Sequence, residues 1–289
     1  MLPAPLQTTP TVNFHKGNRR DDKAYMEKYL AGFRKINLES METIALMKRY
    51  DTKFLFHVDH LPAIIDLLFP AYAVLEIDEK RVFKYQNQYY DTADYFFYHQ
   101  HHNQNLSRHK FRCRHYVDTQ QCYFEVKSKT NRKKTIKSRL LLDHREISPE
   151  LPAEAKAFAR QCLWNGNRSR VDEIKPALLV GYHRMTLASF HNKERITFDI
   201  NLTFSDQETV LNVDSLAIAE LKTVQLLLKS DFFQSLKAMH ILPATFSKYC
   251  MGIVLMGKNV KYNRFKHDVT HLGKITSCHF SRINNTQNV

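Results

Sequence analysis

Arg108, Lys110, Arg112 and Arg114 stand at every second position of one short stretch, with Phe111 and Cys113 between them. Strand side chains repeat with a period of two, so an extended backbone would project all four cations from one face and the apolar groups from the other. The same habit recurs elsewhere. Glu125, Lys127 and Lys129 oppose Phe124 and Val126, while Lys137 and Arg139 oppose Ile136 and Leu140. Arg195, Thr197 and Asp199 oppose Ile196, Phe198 and Ile200; Glu220 and Lys222 oppose Ala219 and Leu221; Arg49, Asp51 and Lys53 oppose Tyr50, Thr52 and Phe54. One charged row is ordinarily a solvated face. Several rows dominated by Lys and Arg set like charges side by side, which costs stability unless an anion or a metal offsets it. Such rows lining a narrow cavity would bind phosphate, the arginines through bidentate forks and the lysines as point charges.

Strands must carry these rows. β-rich runs are expected at 81–90, 108–117, 121–128, 135–142, 177–189, 194–204 and 216–222, with helices at 152–164 and 223–237. The segment 22–47 reads as helical with a break near Gly32, and 60–68 as a short helix with Pro62 in its first turn. Residues 1–22 read as a flexible tail and 257–289 as a basic, solvated tail, leaving a single domain over 23–256.

Composition bounds the function. The 289-residue chain is 43% hydrophobic and 12% aromatic, which suits a globular body, and its net charge of +14 points to a polyanionic partner. The five cysteines are scattered and form no CxxC pair, which argues for reduced thiols in a cytoplasm rather than a disulfide scaffold or a zinc site. Leu61 to Leu75, the most apolar stretch, is broken by Pro62, Asp66 and Pro70, so no transmembrane segment is expected. No recognised reader motif accompanies the charge, so nucleic acid is not the expected partner. His99, His101 and His102 lack Cys or Asp partners at metal spacing and read as a surface cluster. Tyr90, Asp91 and Thr92 read as fixing a strand-to-turn geometry, and Tyr249 as core.

Taken in order, the segments INLESMETIALMKRYDTKF (36–54), YYDTADYFFYHQHHN (89–103), RHKFRCRHY (108–116), FEVKSKTNRKKTIKSR (124–139), LLVGYHRMTL (178–187), ERITFDINLTF (194–204), AELK (219–222) and FSKYCMG (246–252) resemble the VTC-domain branch of the triphosphate tunnel metalloenzymes. The resemblance implies an α+β fold: an eight-stranded antiparallel β-barrel, the tunnel, with helices packed on its outside. Members it is similar to include a polyphosphate polymerase that moves the γ-phosphoryl of ATP onto a growing chain with a divalent metal, Mn²⁺ or Mg²⁺. Matched position by position, Lys53, Arg112, Arg114, Lys127, Lys137, Arg184 and Arg195 are implied to bind phosphate, Glu220 to hold the metal, and Ser247 with Lys248 to line the tunnel. Arg112, Arg114, Lys127 and Glu220 are the implied catalytic group.

Two departures stand out. Where relatives open on a carboxylate-rich ExExK strand, this chain has Arg49, Tyr50, Asp51, Thr52 and Lys53, which weakens the case for a second metal ligand there. Thr245 stands where the polymerase has Lys. The chain is also expected to lack the phosphate-sensing domain and membrane segments of the eukaryotic complexes, leaving room for a membrane partner protein. Three functions follow: a polymerase using ATP and polyphosphate, a triphosphate or polyphosphate hydrolase of the same fold, and a non-enzymatic polyphosphate-binding module.

Overall fold

The alternating rows fold into one sheet. The computed structural model describes residues 22–43, 50–132, 134–143, 150–163, 168–278 and 280; the expected N-terminal tail up to residue 21 and Arg49 lie outside them. Twelve strands occur among the described residues: β1 Arg34–Ile36, β2 Tyr50–His57, β3 Ala73–Leu75, β4 Phe83–Asp91, β5 Arg108–Tyr116, β6 Gln121–Lys129, β7 Thr135–Leu142, β8 Lys175–Ser189, β9 Glu194–Ser205, β10 Val210–Val213, β11 Leu216–Thr223 and β12 Pro243–Ala244. Eight helices accompany them: α1 Asp22–Leu30, α2 Leu38–Thr43, α3 Leu61–Asp66, α4 Phe96–His102, α5 Ala153–Cys162, α6 Asp231–Ala238, α7 Lys248–Leu255 and α8 Lys266–Thr276.

The spatial order is β12-β2-β11-β9-β8-β4-β5-β6-β7, with β10 on β9, β3 on β8 and β1 on β3. All pairs are antiparallel except β1 with β3. The expected α+β class holds, but the expected closed eight-stranded barrel is corrected: there are twelve strands, and β12 and β7, at the two ends of the path, share no ladder. The sheet stops there for a physical reason. β12 has two residues, and Pro243 has no N–H to carry hydrogen bonding further.

The convex side is apolar. Phe54, Phe56, Met185, Leu187, Ile196, Phe198, Ala219 and Leu221 pack under Leu30 of α1, Leu61, Ile64 and Ile65 of α3, and Phe232, Phe233 and Leu236 of α6. Phe111, Cys113, Phe124 and Val126 pack under Ala155 and Ala159 of α5 and Phe97 of α4. Oily residues thus cover the outside of the sheet, beneath helices, and the charged rows are turned to the concave side.

A bulge in β9 divides that concave side. Gly181 pairs with Thr203 but His183 pairs with Ile200, so β9 carries one extra residue. Asn201 absorbs it with a left-handed backbone, φ 53°, which Asn tolerates better than most residues. Before the bulge the concave side of β9 shows Arg195, Thr197 and Asp199; after it, Leu202 and Phe204. Together with Leu178, Val180, Leu55 and Leu216 these form an apolar floor on which Tyr249, Cys250, Ile253 and Val254 of α7 lie. Gly252 permits that approach, since a Cβ there would sit 2.4 Å from Leu178 Cδ2 and 2.5 Å from Phe204 Cδ1.

Three local expectations change. The break near Gly32 leads into strand β1 before the helix restarts. The stretch expected to be a solvated tail carries α8, whose Leu272 is buried against the same apolar floor as α7. The histidines expected at the surface lie on α4, where His102 is 3% exposed and stacks on Tyr98. Among the described residues no helix is long and apolar enough to cross a membrane.

Candidate functional site

Cross-strand register brings the charged rows together on the concave side. Lys53 of β2 lies opposite Glu220 of β11, Asp51 opposite Lys222, and Lys222 opposite Arg195 of β9. Arg184 of β8 lies opposite Asp199. On the other flank Lys110, Arg112 and Arg114 of β5 lie opposite Lys127, Glu125 and Tyr123 of β6, and Lys137 and Arg139 of β7 lie opposite Lys127 and Glu125.

Three carboxylates are each held between cations. Glu125, 3% exposed at its side chain, accepts from Arg112 Nε at 2.6 Å and lies 2.5 Å from Lys137 Nζ. Burial raises its pKa, but Arg112, Arg114 and Lys137 outweigh that and hold it at about 2. Asp199 takes Arg184 bidentately, at 2.6 and 2.8 Å, and Lys248 Nζ at 2.5 Å. Burial again acts upward and the two cations win, leaving it at about 2. Glu220 bonds Lys53 Nζ at 2.5 Å and also Lys222, which reaches Asp51 at 2.8 Å. Against burial, Lys222 and Lys53 hold the Glu220 carboxyl well below the usual carboxylate range.

Two further cations of the face meet neutral groups. Arg114 donates to Asn87 Oδ1 at 3.0 Å and to Tyr182 Oη at 3.4 Å, and Lys110 Nζ donates to Ser247 Oγ at 2.8 Å. Ser247 also caps α7, accepting from Cys250 N at 3.2 Å. It thereby holds the positive end of that helix beside Lys110. Aromatic rings support the cations: Arg184 lies 5.1 Å from the Tyr85 centroid and 5.2 Å from that of Tyr182, with Lys248 Nζ 4.6 Å from Tyr182. Lys127 is solvent-exposed. The protein packed around its amine, and then Lys110, Lys53 and Arg112, push it down to about 8, with Glu220 acting the other way. Lys110 of β5 reaches Ser247 and Lys248 reaches Asp199 of β9, so the start of α7 is tied to both flanks of the face.

The sequence-derived residues thus share one face. Lys53 and Glu220, Arg112 and Lys137, Arg184 and Lys248 meet through ion pairs; Ser247 meets the row through Lys110; Arg114 and Lys127 join electrostatically; Arg195 joins through its register with Lys222. The carboxylate Asp199 and the cations Lys110 and Lys222 belong to the same cluster without having been assigned roles; their period-two alignment was the available signal. Tyr182 had no such signal. Tyr90, Asp91 and Thr92 prove structural: Asp91 accepts the N–H groups of Phe97 and Tyr98 at 2.9 and 2.8 Å at the start of α4, and the Tyr249 hydroxyl as well. Tyr249 is core, stacked 5.1 Å from Tyr89.

No group of three or more His, Cys, Asp or Glu side chains that could hold a metal occurs among the described residues. Of the carboxylates on this face, Glu220 and Asp51 lie on adjacent strands and are joined through Lys222. Such a pair fits a hard divalent cation that draws its other ligands from phosphate oxygens and water, not a cation caged by protein.

The VTC domain family model matches residues 48–257, which takes in every strand from β2 to β12, and the chain belongs to that family. Among solved structures, a provisionally assigned adenylate cyclase from Bacillus halodurans aligns at 14% identity and a TM-score of 0.42, covering 75% of this chain and 96% of that one. A provisionally assigned adenylyl cyclase from Hippeastrum, described as having a dominant triphosphatase activity, aligns at 15% identity and a TM-score of 0.40, covering 70% and 93%. A protein from Pyrococcus horikoshii aligns at 12% identity and a TM-score of 0.37, covering 68% and 97%. No curated protein matches.

Proposed function

We propose that the concave face binds the triphosphate of ATP and that the protein is a polyphosphate polymerase-like phosphotransferase, a finer activity within the VTC domain family. The supporting observation is the row of cations that register sets on one face, Lys127 lying opposite Lys110 on one side and Lys137 on the other, so that phosphate placed there offsets their mutual repulsion. Arg112, Arg114 and Lys127 clamp the phosphates, Lys53, Lys137, Arg184, Arg195, Ser247 and Lys248 extend the contact along the chain of phosphates, and Glu220 holds the Mn²⁺ or Mg²⁺. That metal, when bound, neutralises charge on the phosphate oxygens.

Phosphoryl transfer needs positioning and charge stabilisation more than covalent chemistry from the protein. A terminal oxygen of polyphosphate attacks the γ-phosphorus, the bond from that phosphorus to the β–γ bridging oxygen breaks, and ADP leaves. The attacking oxygen is already ionised, so no general base is required. Arginines held by Glu125 and Asp199 are pre-oriented for the charge that develops, and their donors need not reorganise. Free thiols at Cys113, Cys122, Cys162, Cys250 and Cys278 fit a cytoplasmic site of action.

Purified protein incubated with ATP and Mn²⁺, with products resolved on a gel, tests the proposal. Long phosphate chains with ADP support it. Free phosphate alone makes water the acceptor and the protein a hydrolase, and tight binding without product leaves a polyphosphate-binding module.

A further inference from the structure

The concave face is charged or hydrogen-bonded along most of β5, β6 and β7, but not at the end reached by Tyr116, Tyr123 and Leu141. Tyr123 lies directly opposite Arg114 on one side and Leu141 on the other. Its ring meets that of Tyr116 edge-on, centroids 5.9 Å apart, and the Arg139 guanidinium lies 5.3 Å from its centroid. Leu141, on the same face, is 60% exposed. An aliphatic side chain left in water beside a half-exposed aromatic ring makes an apolar ledge on the rim of a cationic basin.

We infer that this ledge is the nucleobase subsite of the nucleoside triphosphate, with the base stacked on Tyr123, Arg139 closing over it and Leu141 against its edge. The inference rests on the reading of the basin as a triphosphate site. Spacing commits it to a base. With a strand rise of about 3.3 Å per residue, Tyr123 stands about 7 Å from the level of Glu125 and Arg112 and about 13 Å from that of Lys127. A triphosphate clamped between those levels carries its ribose and base toward the rim. Aromatic faces with an arginine beside them hold bases by stacking whatever the base, so the ledge favours nucleotides over bare phosphate chains without selecting among bases. Polyphosphate would gain nothing from the ring.

The test measures the affinity of the full chain for ATP and for inorganic tripolyphosphate by titration calorimetry, with divalent metal withheld. Wild-type protein should bind ATP more tightly than tripolyphosphate. Tyr123→Ala should lose about ten-fold in ATP affinity with tripolyphosphate unchanged, and Tyr123→Phe, which keeps the ring, should retain both. The inference is overturned if Tyr123→Ala leaves ATP binding intact, weakens both ligands alike, or if the wild type already binds the two equally. Wild-type protein that binds neither ligand would instead overturn the basin reading, and the subsite with it.

Discussion

Lys248 Nζ lies 2.5 Å from Asp199 Oδ2, on a carboxylate that also takes both arms of Arg184. A buried anion between two cations is worth most when one partner is taken away. Asp199→Asn leaves Arg184 and Lys248 facing each other, and should cost about 3 kcal/mol in the ligand-free protein. Tripolyphosphate should then raise the melting temperature of the variant more than that of the wild type. Equal shifts would mean that phosphate does not reach this pair.

Charge reversal at Arg112 addresses the clamp directly. Arg112→Glu sets a second carboxylate beside Glu125 and should abolish triphosphate binding while the far-ultraviolet circular dichroism stays that of the wild type. Wild-type affinity in this variant would remove Arg112 from the site.

Lys127 predicts a pH dependence. Its folded pKa, about 8, lies below the ordinary 10.5. Between those values the unfolded chain holds more protons than the folded one, so this residue's contribution to stability rises with pH across that window. Phosphate favours the charged amine, so ligand binding takes up a proton above pH 8. Tripolyphosphate affinity should therefore fall by up to about ten-fold per pH unit above 8. Lys127→Met should flatten the profile, as measured by titration from pH 7 to 9.5. Glu125 and Asp199 act at the other end: their folded pKa values, about 2, lie below the ordinary range. Their contribution is present above the unfolded carboxylate range and is lost as pH falls through about 2.

Glu220 separates metal from nucleotide. Glu220→Gln should keep ATP binding, since it frees Lys53 and Lys222 to meet phosphate, and should lose metal-dependent turnover. Steady-state assays across a Mn²⁺ titration, read beside ATP binding, check this; unchanged turnover would place the metal elsewhere.

Gly252 sets how closely α7 lies on the sheet. An added Cβ would meet Leu178 and Phe204 at 2.4 and 2.5 Å, so Gly252→Ala should cost about 1–3 kcal/mol in denaturant unfolding. It should also weaken tripolyphosphate binding, because α7 carries Lys248. A variant as stable as wild type would show that the helix has room to shift.

Much of this was legible in the sequence. Rows such as Arg108 to Arg114 and Arg195 to Asp199 announce strands because a period of two survives when one side is oily and the other charged, and β5, β6 and β7 lie within two residues of expectation. The cations could be assigned to one face, but not paired: that Arg112 meets Glu125 or Lys248 meets Asp199 depends on cross-strand register and on where α7 lands. α7 itself, rich in Met, Cys, Ile and Val, has no polar side to give it helical periodicity. β1, β3 and β12 are too short for alternation to show.

Leu202 and Phe204 continue the spacing of Ile196, Phe198 and Ile200, yet they face the opposite way, because of the additional residue at Asn201. Straightening β9 at Asn201, with every residue kept, would restore unbroken alternation and invert the remainder of the strand. Leu202 and Phe204 would point to the convex side, Thr203 and Ser205 would slide beneath α7, and the helix would lose its seat. One amide unit therefore decides where salt gives way to oil along this strand.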